Sequence, residues 1–479
     1  MNIQIVIYVL GIVLNIEAIS MILPLICAII YGEYQSASIF LLTIALCAIL
    51  GVGITAKKPA NKSIYSKEGY VIAALAWIVM SVFGALPFWF SGSMPHYIDA
   101  LFETVSGFTT TGSTILTDVE SLSKSMLFWR SFLHFMGGVG VLVFLVAILP
   151  LSGGENFNIV KAESTGPAVS KLVPKVKSTA KILYAIYISI TALEAISLLI
   201  GGMSLYDSLT IAFATAGTGG FATTNAGMGA YAPHIQVIIT VFMILFGIDF
   251  TLYYLIIIGR IKDVLSSDDL KTYLGVILTA GIIIAFNIRG YFPTIAEALR
   301  HSFFQVGAII TTTGFTTYDF DKWPELSKTI LVTLMFVGAC AGSTGGGMKV
   351  TRIIILFKSI VKEIKFTAHP RRTYKLVVSG RPVAHETVRA VNVYTAAFML
   401  MFVISLLIIS MDNYDFTTNF TTVATMINNI GPGLNKVGPV CNFSFFSVRA
   451  KIVMIFDMLL GRLELFPILL LFSRHTWKK

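Results

Sequence analysis

Apolar runs of two lengths, separated by short polar connections, make up most of this chain. Runs near 4–31 and 37–54 form an opening pair, and behind them one unit recurs: an outgoing run, a short run and a returning run. The outgoing runs lie near 69–91, 181–203, 271–288 and 389–411, and the returning ones near 127–150, 234–260, 328–360 and 446–472. Since about 20 apolar residues at roughly 1.5 Å each cross the hydrocarbon core, all of these are expected to span a membrane. The short runs, 97–110, 206–218, 297–312 and 416–429, reach only part-way and are expected to be re-entrant half-helices.

The pattern predicts an all-α polytopic membrane protein in which an N-terminal two-helix hairpin precedes four parallel repeats of span, half-helix and span around a central pore. Its divisions are 1–68, the hairpin and a connection, then repeats at 69–180, 181–270, 271–388 and 389–479. Each repeat starts and ends on one side, so the repeats are related about an axis along the membrane normal, not inverted.

Each half-helix ends on glycine: Thr110-Thr111-Gly112, Thr218-Gly219-Gly220, Thr312-Thr313-Gly314 and Asn429-Ile430-Gly431. Glycine reaches positive φ without a Cβ penalty, which suits a turn that aims carbonyls into a narrow passage. Irregular backbone at membrane depth must be buried or line water. Four such turns predict a carbonyl ring, the device that replaces the hydration shell of a potassium ion. The half-helices would point C-terminal ends, each worth roughly −0.5 charge, at the same place. Downstream, Gly137, Gly247, Gly338 and Gly461 fall at similar intervals in the returning runs.

Composition narrows the setting without changing this picture. Hydrophobic residues are 56% and charged residues 13% of 479, with a mean hydropathy of +0.81, far from the soluble average. The net charge of +10 lies mostly in the connections 54–68, 151–181, 260–271, 349–389 and 471–479. The alternate connections hold Glu33, Asp99, Asp118, Glu120, Asp207, Glu297, Asp319, Asp321, Glu325, Asp412 and Asp415. That is the positive-inside asymmetry; it predicts both termini in the cytoplasm and argues against nucleic acid as the target of the basic residues. The N-terminus lacks a basic n-region and stays apolar to about Ile30, so it reads as an uncleaved span. Cys27, Cys47, Cys340 and Cys441 form no CxxC pair and predict neither a disulfide framework nor a metal knuckle. Asp99, Glu103, Asp118, Glu120 and Asp207 are candidates for concentrating cations at the mouth.

A second candidate site interrupts the returning run of the third repeat at Gly342-Ser343-Thr344-Gly345-Gly346-Gly347. Glycines cost a helix about 1 kcal/mol each relative to alanine, and three in succession predict a break. Arg462 falls at a similar depth in the fourth repeat, where an arginine costs about 2.5–3.5 kcal/mol and must face the pore or a partner. The loop is expected to be a flexible constriction and Arg462 a barrier or latch beside it, with pairing to Asp457 or Glu464 as the structural alternative. A phosphate cradle is excluded because Met348-Lys349-Val350 lacks the Gly-Lys-Ser/Thr ending.

These residues resemble the Trk/Ktr/HKT potassium transporters, and the opening hairpin is similar to the TrkH type. The likeness is most specific at Ser106-Gly-Phe-Thr-Thr-Thr-Gly-Ser113, at Thr311-Thr-Thr-Gly-Phe-Thr316 and at Gly338-Ala-Cys-Ala-Gly-Ser-Thr-Gly-Gly-Gly-Met-Lys349. The fourth turn departs from the threonine pattern. The resemblance implies potassium uptake across a bacterial cytoplasmic membrane, with K⁺ as the transported ion, no organic cofactor, and Gly112 favouring K⁺ over Na⁺. It also implies a homodimer docked on cytosolic TrkA-type nucleotide-binding regulatory subunits. Connections 151–181 and 349–389 are the expected landing surfaces, with Lys349, Arg352, Arg371 and Arg372 among the contacts.

Rival functions find less support. A proton- or sodium-coupled secondary transporter would draw on Asp249, Asp457 and Glu464. A membrane oxidoreductase needs paired histidines, but His96, His134, His234, His301, His369, His385 and His475 are scattered. A polyprenyl-type enzyme needs acidic clusters, and only Asp268-Asp269 is adjacent. No enzymatic activity is expected.

Overall fold

Half-helices form where a polar cap meets an apolar run. Ser204, Thr294 and Asp415 accept hydrogen bonds from the backbone N–H of Asp207, Glu297 and Thr418, which starts the helices Leu205–Gly217, Ile295–Ile310 and Phe416–Asn428. The first, Tyr97–Phe108, follows His96 without a side-chain cap. Their inner turns are buried; in Phe416–Asn428 every residue from Thr421 onward is inaccessible to solvent or nearly so. The computed structural model describes residues 1–61, 63–148, 176–372 and 374–477.

Longer helices enclose this buried layer, and the only strands among the described residues are the short antiparallel pair Val377–Val378 and Arg381–Pro382. The opening pair consists of Ile3–Ser20 with Ile22–Ile30, read as one span, and Tyr34–Thr55. Six helices among the described residues are long and apolar enough to cross a membrane, and a seventh crossing counts if one bent pair is included. The chain is thus a multi-pass helical membrane protein.

Fewer unbroken spans appear than the apolar runs suggest: the first returning run is one helix, Lys124–Ile148, but the other three are broken. The run at 234–260 divides into Pro233–Phe246 and Phe250–Ile257, bent by 90°. Asp249 makes the bend by capping the second piece, accepting from the N–H of Thr251 at 2.8 Å. The run at 446–472 divides into Val448–Arg462 and Phe466–Leu471, with Glu464 and Leu465 at φ of 57° and 65° between them. In the third repeat the helices Glu325–Val337 and Val350–Ala368 leave 338–349 non-helical, a longer gap than the glycine cluster alone suggests.

Polar connections sort to two ends. At one, Asn2 bonds Glu68 and Asn61, Lys67 donates to the carbonyl of His475, and Lys358 pairs with Asp268 at 2.8 Å. Elsewhere the acid-bearing connections bond one another: Glu33 holds the N–H groups of Lys124 and Ser125, Asp118 and Glu120 hold Asn225, and Asp412 holds Ser447 and Arg449.

Candidate functional site

Each half-helix stops on a left-handed residue that is not glycine: Thr110, Thr218, Thr312 and Asn429, with φ between 54° and 61°. In every turn the N–H of this residue bonds the carbonyl three positions back, those of Gly107, Thr215, Ile309 and Met426. In three turns the next N–H reaches five back, Thr111 to Ser106, Gly219 to Ala214 and Ile430 to Thr425, as in a Schellman stop. Threonine at positive φ is a genuine backbone outlier, and such strain gathers at functional sites. Two positions on, Gly112, Gly220, Gly314 and Gly431 return to positive φ at 78°, 75°, 75° and 101°. The glycines are thus the expected half of the special conformation; the threonines and asparagine two residues before them share it with no glycine to mark them in the sequence.

The four turns close on one another. A Cβ on Gly112 would stand 1.8 Å from the carbonyl oxygen of Gly219; on Gly220, 2.0 Å from that of Thr313; on Gly314, 1.9 Å from that of Ile430. The circuit is completed by Gly431, whose Cβ position lies 3.0 Å from the carbonyl oxygen of Thr111. So the twelve residues of the predicted turns come together as a ring, each glycine abutting the middle residue of the next turn, with a looser joint between fourth and first. All four glycines line a vestibule of about 860 Å³ counted with its open mouth, whose other walls include Ser113, Asn225, Thr316, Cys441 and Phe443.

Behind the ring, threonine hydroxyls tie the first and third turns to their own half-helices. Thr109 donates to the carbonyl of Val105 and pairs with Thr111 at 2.8 Å; Thr311 donates to that of Gly307 and pairs with Thr313 at 2.7 Å. In the fourth turn, Asn429 donates its amide to Thr111 at 3.0 Å and to the carbonyl of Met458 at 2.9 Å. The returning glycines split in role. Gly137 and Gly461 abut the carbonyls of Phe108 and Ile427, the last turns of the first and fourth half-helices. Gly247 instead makes room for the hydroxyl of Tyr273, and Gly338 begins the loop at φ 71°.

The glycine-rich loop lies against the ring. Thr218 donates to the carbonyl of Thr344 at 3.1 Å, the N–H of Gly346 donates to Thr312 at 2.6 Å, and a Cβ on Gly346 would stand 2.5 Å from the carbonyl oxygen of Asn428. A Cβ on Gly345 would stand 2.8 Å from the carbonyl oxygen of Thr311. Two backbone bonds clasp the loop to the bend at Gly247–Asp249: Cys340 to Gly247 at 3.0 Å and Phe250 to Gly342 at 3.1 Å. Ser343 turns inward onto the carbonyl of Cys340 at 2.6 Å, while Gly342 and Gly347 take φ of 79° and 73°.

Arg462, 7% exposed, donates to the carbonyls of Thr344 at 2.9 Å and Gly137 at 2.5 Å, joining the loop to the returning helix of the first repeat. The proposed alternatives for its charge have other partners. Asp457 accepts from Ser405 at 2.6 Å, and Glu464 pairs with Arg352. Asp249, the third acid weighed for coupled transport, holds Thr251 and faces Gly342. Two further acids within apolar runs, Glu17 and Glu194, are fully buried.

Two expectations need correction. None of the five acids named for the mouth lines the vestibule: Glu103 is buried against Arg130 at 2.7 Å, Asp99 pairs with Lys451 at 2.7 Å, and Asp207 accepts from Ser204. Asp118 and Glu120 stand at the vestibule's rim, bonded to the lining residue Asn225 on either side of the lining residue Val119. The charged residue that does line it is Arg130. Nor are Lys349 and Arg352 available to a docking partner, being 1% and 4% exposed, with Lys349 turned onto the carbonyl of Gly345; Arg371 and Arg372 are exposed. Residues 151–175 of the other basic connection lie outside the described residues.

Comparison with known proteins places this geometry. The TrkH family profile, described as a cation transport protein, matches residues 36–285 and 289–479. The Trk system potassium uptake protein TrkH of Salmonella typhimurium is 36% identical over 480 residues, covering 98% of each chain. TrkG of Escherichia coli K12, also named a Trk system potassium uptake protein, is 33% identical over 485 residues, covering 100% of this chain and 99% of its own. The crystal structure of the potassium transporter TrkH from Vibrio parahaemolyticus superposes with a TM-score of 0.89 at 31% identity, covering 100% of both chains.

Proposed function

This chain belongs to the TrkH family of cation transport proteins, and from that membership we propose that it takes up potassium through a K⁺-selective filter made by the ring of four turns. It is a transport protein and not an enzyme. The observation that carries the filter reading is the closed succession of glycine and carbonyl contacts from Gly112 round to Thr111. A backbone that changes hand at successive residues turns neighbouring carbonyls to one side, and this alternation is matched in all four turns. Carbonyls so gathered replace the water around a dehydrated cation, while the half-helix C-termini add partial negative charge. The filter then comprises Thr110, Thr111 and Gly112, Thr218, Gly219 and Gly220, Thr312, Thr313 and Gly314, and Asn429, Ile430 and Gly431.

In the same reading, the loop Gly342–Gly347 is a constriction beneath the filter and Arg462 its latch. Bonds from Thr218, Gly346 and Arg462 support this placement, since they fasten the loop across the inner face of the ring. Asp249, Asp457 and Glu464 are engaged as caps or bonded partners, which speaks against a proton- or sodium-coupled relay. The inner face is cytoplasmic by the distribution of Lys and Arg, and homodimers of the chain dock there on TrkA-type nucleotide-binding subunits, with Arg371 and Arg372 at the contact.

Expression in a host lacking potassium uptake tests the core of the proposal. Growth at limiting K⁺ and K⁺-competed Rb⁺ entry are expected; a correctly inserted chain that supports neither sinks it.

A further inference from the structure

Three of the four turns carry a side chain on both sides of the left-handed residue: Thr109 and Thr111, Thr311 and Thr313, Asn428 and Ile430. The second turn carries none, with Gly217 and Gly219 flanking Thr218. The space is filled from another element. His134, fully buried on the returning helix of the first repeat, puts its imidazole Nδ1 1.9 Å from where a Cβ on Gly219 would stand, and its own carbonyl oxygen 2.2 Å from one on Gly217. The N–H of Phe221, the residue after Gly220, donates to His134 Nε2 at 3.3 Å, so the ring's own proton is assigned to Nδ1. One helical turn earlier, Arg130 stacks on the Phe221 ring at 3.9 Å and donates to the carbonyl of Ala222 at 3.3 Å.

We propose that His134 is a selectivity-positioning residue, standing in for the missing side chains of the second turn and holding Gly219 and Gly220 in register with the other three. In the first and third turns a hydroxyl pair supplies this backing from within the same repeat. In the second, one imidazole supplies volume and an acceptor from the neighbouring repeat, so the first repeat sets the geometry of the second. The inference rests on the ring being the filter. His134 touches no transported ion; it acts through the backbone that does.

The test compares K⁺ and Na⁺ flux of the full-length protein in proteoliposomes, with monodispersity as the folding control. His134→Leu keeps volume but removes the acceptor, and is expected to lower the K⁺/Na⁺ flux ratio by up to about tenfold, the value of one ordinary hydrogen bond. His134→Gln, which restores an acceptor for Phe221, should recover part of that loss. Gly219→Ala should abolish flux in the parent but be tolerated beside His134→Ala, where the room is vacated; tolerance is read as flux or as recovered monodisperse yield. A folded His134→Leu with the parent ratio, or Gly219→Ala equally damaging in both backgrounds, overturns the proposal. Gly112→Ser in the same assay separates the two readings. If it moves the ratio and the His134 variants do not, the filter stands and this inference falls; if neither moves it, the filter reading itself is wrong.

Discussion

At the scale of single residues, contact distance ranks the four glycines of the ring. Gly112, Gly220 and Gly314 face a carbonyl within 1.8–2.0 Å of a Cβ position, whereas Gly431 has 3.0 Å. Gly112→Ser is therefore expected to displace the Gly219 carbonyl and narrow K⁺/Na⁺ discrimination, and Gly431→Ser to do so less, as read from reversal potentials; an equal or opposite order contradicts the ring geometry. Glu103 carries a different kind of consequence. It is buried against Arg130 and also accepts from Thr114 and the N–H of Ile115, so Glu103→Ala leaves an uncompensated buried guanidinium. A loss of about 3–5 kcal/mol in stability is expected, measured by unfolding in detergent.

Among elements, the breaks in the second, third and fourth returning runs are where the chain gains adjustable backbone. Arg462 ties the loop at Thr344 to the carbonyl of Gly137, so one side chain bridges the third and first repeats. Arg462→Ala, or deletion of two glycines from Gly345–Gly347, is expected to raise basal Rb⁺ flux; variants that fold and conduct no more than the parent would make the loop mere packing. The half-helices have their own dependence on caps. Although desolvation pushes the other way, hydrogen bonds from Thr418 and Asn435 hold the Asp415 carboxyl down at about 2. Its folded value is below the unfolded one of about 3.9, so its stabilising contribution is present above that pH and is lost as pH falls toward 2. Asp415→Ala should cost about 1 kcal/mol near neutral pH, and the difference from the parent should shrink in acid titrations of stability.

For the whole molecule, the proposed filter and constriction both sit in this chain, but an energy source for moving the loop does not show in its motifs. A ligand shifts a pore equilibrium only by binding its states unequally, which is the role proposed for the cytosolic subunits. Charge reversal at Arg371 and Arg372 is expected to weaken their binding, more so at low salt where exposed charges are least screened. Pull-down and flux across a nucleotide series would check it; undiminished binding by the reversed variant would move the interface elsewhere. Lys349 and Arg352 are buried, with Arg352 paired to Glu464, so their reversal would disturb packing and is no test of the docking surface.

Run length and charge placement by themselves determined the helical membrane class, the half-helices and the position of the glycine turns, because hydropathy and glycine act locally and are written at consecutive positions. The broken third returning run was legible for the same reason. The 90° bend at Asp249 and the break at Glu464–Leu465 were not, since a single polar residue in an apolar run reads equally as a pore-lining group or a cap until its partner is known. Tertiary structure alone decided the cyclic order of the turns, the left-handed threonines, the burial of Glu103 and Lys349, and the seat of His134 behind Gly219. Each of these depends on which distant segment occupies the neighbouring space, and close packing around backbone carbonyls leaves no signature along the chain.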